Sequence, residues 1–149
     1  MRIIAFAVVA LLGYAELPAA AADAAKVSSR VTAPTTKNRI VIQVNEENVK
    51  KWNEVLVNIH NIQVELGPKN VAIAVVAIGP GLGMLNADSL AANGVQDGLA
   101  AGVEFVACGN SMKAQKIAKE DLIEGVKVSV AGYVELMKRQ QQGWAYLRP

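Results

Sequence analysis

One cysteine, one histidine and an aromatic content of 5% are what this 149-residue sequence offers in place of the usual catalytic inventory. Each scarcity removes a class of function. The single thiol, Cys108, closes no disulfide within the chain. Paired only with His60 in an unrelated segment, it assembles no site of ordinary ligand spacing, so no metal is expected. His60 falls on a helix with no partner at catalytic spacing, and neither a Ser-His-Asp arrangement nor a carboxylate pair stands out. Lysine and arginine are scattered, the net charge is only +2, and no aromatics interleave with the cations. That pattern argues against a nucleic-acid surface. No apolar run reaches the roughly 20 residues that a membrane helix needs.

What is abundant is aliphatic: 52% of the residues are hydrophobic, mostly Val, Ile, Leu and Ala. At the N-terminus Arg2 precedes an apolar run over residues 3–12, then Pro18 and four consecutive alanines over 19–22. This is the layout of a secretory signal peptide ending near residue 22. It predicts a periplasmic or secreted protein with no membrane attachment after cleavage. Residues 23–38 show no apolar period and read as a flexible leader. Residues 39–149 have the length of one domain.

Within 39–149 short β-branched runs alternate with helical patterns. Strands are predicted at 39–44, 71–78, 103–107, 126–130 and 144–147. Between the first two, Val49, Trp52, Leu56, Ile59 and Leu66 recur at helical spacing, with Asn45 as the expected N-cap and Gly67-Pro68 as the stop. Gly79-Pro80-Gly81-Leu82-Gly83 reads as a loop, 86–101 as a broken helix, and Asn110 as the cap of a helix running to Lys119. A last helix is predicted over 132–142. Such alternation predicts an α/β fold of three layers: a mostly parallel five-stranded sheet with helices on both faces.

Cys108 falls where a strand ends and a helix begins, the usual ligand position in open α/β sheets. A thiolate there gains from the amide groups of the following turn. Gly109 removes bulk beside the sulfur, Asn110 and Ser111 add donors, and Lys113 and Lys116 lie further along. Gly79 and Gly81 are expected to wall the same pocket, and Met84 and Leu85 to line it or to meet another subunit. The glycine-rich segment lacks the Lys-Ser/Thr ending of a phosphate loop and the third glycine of a dinucleotide fingerprint, so no cofactor is expected. Position alone leaves two readings of Cys108 open: a reactive thiol, or a small hydrophobe at a strand end.

The run Gly102-Val103-Glu104-Phe105-Val106-Ala107-Cys108-Gly109-Asn110-Ser111-Met112 resembles the cysteine segment of DsrE/DsrF-like proteins. The closing run from Gln140 through Trp144 and Tyr146 to Pro149 is similar to the C-terminal signature of that family's exported branch, and Gly79-Pro80-Gly81-Leu82 with Leu85 to its loop after the second strand. Many exported relatives carry an aromatic residue or a histidine just before that loop, where this chain has Ile78. The resemblance implies a homo-oligomer, commonly a trimer or hexamer, and a persulfide-bearing position at Cys108. Its partners would be sulfur donors and acceptors, either proteins or small sulfur compounds. The competing expectations are a non-catalytic oligomeric module that binds a small ligand or a protein, and a cysteine that pairs between chains.

Overall fold

The computed structural model describes residues 38–149. The expected signal peptide and all of the expected leader except Asn38 lie outside the described residues; Asn38 itself opens the first strand. Strands β1 (Asn38–Val44), β2 (Val71–Ala77), β3 (Glu104–Cys108), β4 (Lys127–Ser129) and β5 (Ala145–Leu147) form one sheet in the order β4-β3-β2-β1-β5. Every neighbouring pair is parallel. The expected α/β architecture is therefore present, with a sheet that is parallel throughout. The connections are α1 (Val49–Leu66), α2 (Ala92–Ala100), α3 (Gly109–Gln115) and α4 (Gly132–Gln141), with 3-10 turns at Gly79–Leu85 and Lys119–Asp121.

Local chemistry accounts for the boundaries that differ from expectation. The cap of α1 is Asn48, not Asn45: its Oδ1 accepts the Lys51 amide at 3.1 Å. Helix α3 ends after Gln115 rather than at Lys119, because Lys116 turns left-handed (φ 56). The Gly79 segment is a 3-10 turn rather than an open loop, with Pro80 in its first positions, where a missing N–H costs nothing. Its Gly81 has no room for a side chain, since a Cβ would lie 2.6 Å from the Val44 carbonyl carbon.

Alternation along the strands sorts the core into two unequal layers. Ile42, Val75, Phe105 and Ala107 face α1, α2 and α3, and pack with Trp52, Val55, Val95 and Met112. Val41, Val76, Val106 and Cys108 face the other way and are covered by α4 through Leu136, with Trp144 alongside. The chain leaves β4 at its carboxyl end and begins α4 there, so α4 lies over β1, β2 and β3 before β5 joins beside β1. Tyr146 fastens that last strand by donating to Oε1 of the buried Gln43 at 2.5 Å.

The far end of α4 is held by charge. Arg139 binds Glu104 and, at 2.7 Å, Glu135, and its guanidinium lies 4.5 Å from the centre of the Trp144 ring. Lys127 adds a second contact to Glu104 at 2.6 Å. Glu104 is thus engaged within its own chain. Burial pushes its carboxyl up, but Lys127 and Arg139 outweigh burial and hold it below the ordinary glutamate value. A lowered pKa contributes stability that is complete above about pH 4.3 and is lost as pH falls through the folded-state value. Glu104→Gln is expected to cost about 2 kcal/mol near neutral pH. That is less than for a fully buried pair, because the Glu104 side chain keeps 27% of its exposure. Denaturant titrations should show the deficit shrinking at about pH 3; an equal deficit at both pH values would contradict the assignment.

Candidate functional site

The parity of β3 decides where the cysteine points. With Phe105 and Ala107 turned toward α1–α3, Cys108 turns toward α4. Its carboxyl-end position puts it beneath the first turn of that helix. There the Gly132 amide donates to Cys108 Sγ at 3.2 Å. Gly132 is the residue that permits the approach: a Cβ on it would stand 2.7 Å from Ile78 Cγ1 and 3.0 Å from Cys108 Cβ.

The other wall is built by β2 and α3. The Gly79 amide donates to Ser111 Oγ at 2.8 Å, and Gln115 Nε2 donates to the Gly79 carbonyl at 2.8 Å. Gly79 has φ 55, a backbone conformation that glycine adopts without steric cost. Because the Ser111 oxygen already accepts from Gly79, its own proton is available to the sulfur. Together these groups enclose a cleft of ≈ 430 Å³ lined by Ile78, Gly79, Cys108, Asn110, Ser111, Ala114, Gln115, Ala131, Gly132 and Tyr133.

Cys108 is a free cysteine, 4% exposed, and it meets the outside through this cleft. Burial pushes its thiol up, but the Ser111 hydroxyl and the amides of Gly132, Ser111 and Asn110 outweigh burial and bring it below the ordinary thiol value. The Asn110 amide contributes least, being bonded to the Val130 carbonyl at 3.1 Å. No carboxylate, amine or imidazole lines the cleft among the described residues. The arrangement stabilises a thiolate with neutral donors and supplies no proton-transfer group beyond the Tyr133 phenol.

The structure brings together Cys108, Asn110, Ser111 and Gly79 as the sequence suggested. It leaves Gly81 and Met84 elsewhere: both are buried on the α1–α3 side of the loop, with Met84 and Leu85 fully enclosed in the larger core layer. Gly109 packs against the Ser129 carbonyl and does not line the cleft. Lys113 and Lys116 are exposed and do not line it either. His60 is exposed on α1. Sequence reasoning missed Ala114, Gln115, Ala131, Gly132 and Tyr133, while Ile78, noted in the sequence for its place before the glycine segment, does line the cleft. The small pair Ala131-Gly132 at a strand-to-helix junction was the available signal.

A larger groove of ≈ 670 Å³ runs along the β1–β5 edge between α1 and the final residues, lined chiefly by Ile40, Ile42, Val55, Ile62, Leu66 and Leu147. It holds no nucleophile, and the chemistry lies at the smaller cleft.

Fold and site together define a parallel α/β protein that presents one amide-stabilised cysteine at the carboxyl edge of its sheet. The profile of the DsrE/DsrF-like family matches residues 57–149. The chain belongs to this family, which is linked to sulfur transfer. Among solved structures it is similar to a protein of unknown function from Methanobacterium thermoautotrophicum, with 34% identity and a TM-score of 0.72 over 75% of this chain and 99% of that one. The ychN protein from E. coli shares the fold at 16% identity, with a TM-score of 0.65 over 75% of this chain and 99% of the other. A conserved protein of unknown function from Bacteroides thetaiotaomicron does so at 16% identity and a TM-score of 0.65, over 78% and 99%. No curated protein matches the sequence.

Proposed function

We propose that this protein carries sulfane sulfur as a persulfide on Cys108. The thiolate attacks the outer sulfur of a donor R–S–SH. A bond forms between Sγ and that sulfur, the donor S–S bond breaks, and its electron pair leaves on R–S⁻. An acceptor thiolate then attacks the outer sulfur of the Cys108 persulfide in the same way and regenerates the cysteine. The sulfur keeps its oxidation level throughout, so neither step needs an oxidant, a reductant or a second protein cysteine.

The observation that carries this reading is the sulfur itself: unpaired, stabilised by Gly132 at 3.2 Å, and open only to a cleft walled by neutral groups. Membership of a family linked to sulfur transfer supports it. A disulfide between two copies is disfavoured on geometry, because it needs Cβ atoms about 3.8 Å apart and Cys108 is 4% exposed under α4. The test is intact-protein mass spectrometry after incubation with inorganic polysulfide. A gain of one sulfur atom, reversed by a small thiol, is expected on Cys108, and an unmodified protein would overturn the proposal.

The proposal includes export through the N-terminal segment, in keeping with its charged start, apolar run and alanine-rich end. Recovery of a shortened chain beginning near residue 22 from the periplasmic fraction tests that part. It also includes self-association as a trimer or hexamer. Tyr133 lines the cleft, and Val130, Val134 and Met137 lie on or beside the same helix; the four expose 64%, 79%, 42% and 48% of their surface, apolar area that assembly would cover. On α1, Trp52, Val55 and Ile59 are buried in the core of the chain itself. The second reading, a ligand-binding module, is favoured by the ≈ 670 Å³ apolar groove. A ligand held there would bind Cys108→Ser as well as it binds the natural protein.

A further inference from the structure

Two side chains of α3 grip one residue at the end of β2. Ser111 and Gln115 stand four positions apart, on one face of the helix. Ser111 Oγ accepts the Gly79 amide at 2.8 Å, and Gln115 Nε2 donates to the Gly79 carbonyl at 2.8 Å. Gly79 has little else to hold it. Its φ is 55, and apart from its chain neighbours no atom lies within 4 Å of where its Cβ would stand. Glycine has the widest backbone freedom of any residue, so these two hydrogen bonds set its orientation. Gln115 itself is exposed, is the last residue of α3 and lines the same cleft as the sulfur. There a long side chain gives up conformational freedom for a single backbone carbonyl.

The Ser111 hydroxyl has one proton to give. A serine in a helix can spend that proton on a backbone carbonyl of the preceding turn. Because Oγ accepts the Gly79 amide, it is instead fixed at the cleft, with its proton free for the sulfur. Burial pushes the Cys108 thiol up, and the Ser111 hydroxyl leads the groups that bring it down. From these contacts we infer that Gln115 is a positioning residue for sulfur transfer: it fixes the Gly79 backbone, Gly79 fixes Ser111 Oγ, and Ser111 donates to Cys108. The inference rests on the sulfur-carrier reading, since the thiolate so held is the one that takes up sulfur. Gln115 acts at the far end of this series of contacts. It leaves the nucleophile unchanged and governs the share of Cys108 present as thiolate.

The experiment follows alkylation of Cys108 against pH, polysulfide loading by mass spectrometry, and Tm. It compares the natural protein with Gln115→Met, Ser111→Ala and the double variant. Methionine keeps the length of glutamine and removes the donor. Gln115→Met should move the alkylation midpoint upward and slow loading at neutral pH roughly threefold, within the worth of one lost hydrogen bond. Its Tm should change by no more than about 3 °C, as befits an exposed side chain. In the Ser111→Ala background the same substitution should move the midpoint no further, because the residue through which Gln115 acts is gone. A midpoint unmoved by Gln115→Met would overturn the inference, and so would an equal upward shift in both backgrounds. Failure of the natural protein to load from polysulfide, with the midpoints shifted as expected, would instead overturn the carrier reading and not the role of Gln115.

Discussion

Cys108→Ser is expected to abolish sulfur loading from polysulfide while the protein stays folded. The loss is complete, because the chain has no second cysteine to take over. Stability changes little, by about 1 kcal/mol or less, because a hydroxyl can accept the Gly132 amide that now meets Sγ at 3.2 Å. The stability difference also depends on pH in a defined direction. The Cys108 thiol lies below its ordinary value in the folded protein, against burial, through the Ser111 hydroxyl and the surrounding amides. A lowered thiol pKa adds stability as pH rises through the folded-state value, and the full gain is present above the unfolded value of about 8.5. The natural protein should therefore outlast Cys108→Ser in denaturant most clearly at high pH, and the difference should vanish below the folded-state pKa. A difference independent of pH would mean that the sulfur is not stabilised as an anion. Partial loading of the serine variant would place the carrier chemistry elsewhere.

Gly132→Ala carries the second large effect, and it acts on structure and chemistry together. The added methyl would enter space held by Ile78 and Cys108, at 2.7 Å and 3.0 Å from their nearest atoms. Neither neighbour can retreat cheaply: Ile78 and Cys108 are both inside the small core layer between the sheet and α4. The helix must therefore lift, at an expected cost of about 2 kcal/mol for overpacking. Lifting it also withdraws the Gly132 amide from the sulfur. Loss of one such donor to the charged form should raise the thiol pKa. Denaturant titration and the pH dependence of alkylation read the two effects separately. A destabilised variant with an unshifted thiol would show that the amide has no electrostatic part in the site.

The sheet was legible because its strands are written in the plainest code available. Val71 to Ala77 is apolar at every position, and it occupies the centre of the order, paired to β1 on one side and β3 on the other. The long period from Trp52 through Ile59 was equally legible, and both residues are buried. What escaped was decided by contacts between segments far apart in sequence. Asn45 and Asn48 are both competent caps, and only the bond to the Lys51 amide selects Asn48. Nothing local marks Lys116 as the end of α3, where the chain turns left-handed and the Ile117 amide closes back on the Met112 carbonyl at 3.0 Å. Met84, adjacent to the glycine segment, looked like a pocket residue and lies fully within the core. At the site itself, Cys108 and Ser111 could be read from a strand-to-helix junction, but the donor that touches the sulfur comes from residue 132, 24 positions later. Strand parity was the missing step, since it turns Cys108 toward the sheet face that α4 covers.

The most direct test of the whole account is the rate at which a small alkylating reagent modifies Cys108 in the native protein, followed across pH. The account predicts a single transition with its midpoint below the ordinary thiol value of about 8.5, shifted upward in Ser111→Ala and in Gly132→Ala. A thiol that reacts only after unfolding, or one whose midpoint stands at or above that value in the native state, would contradict it.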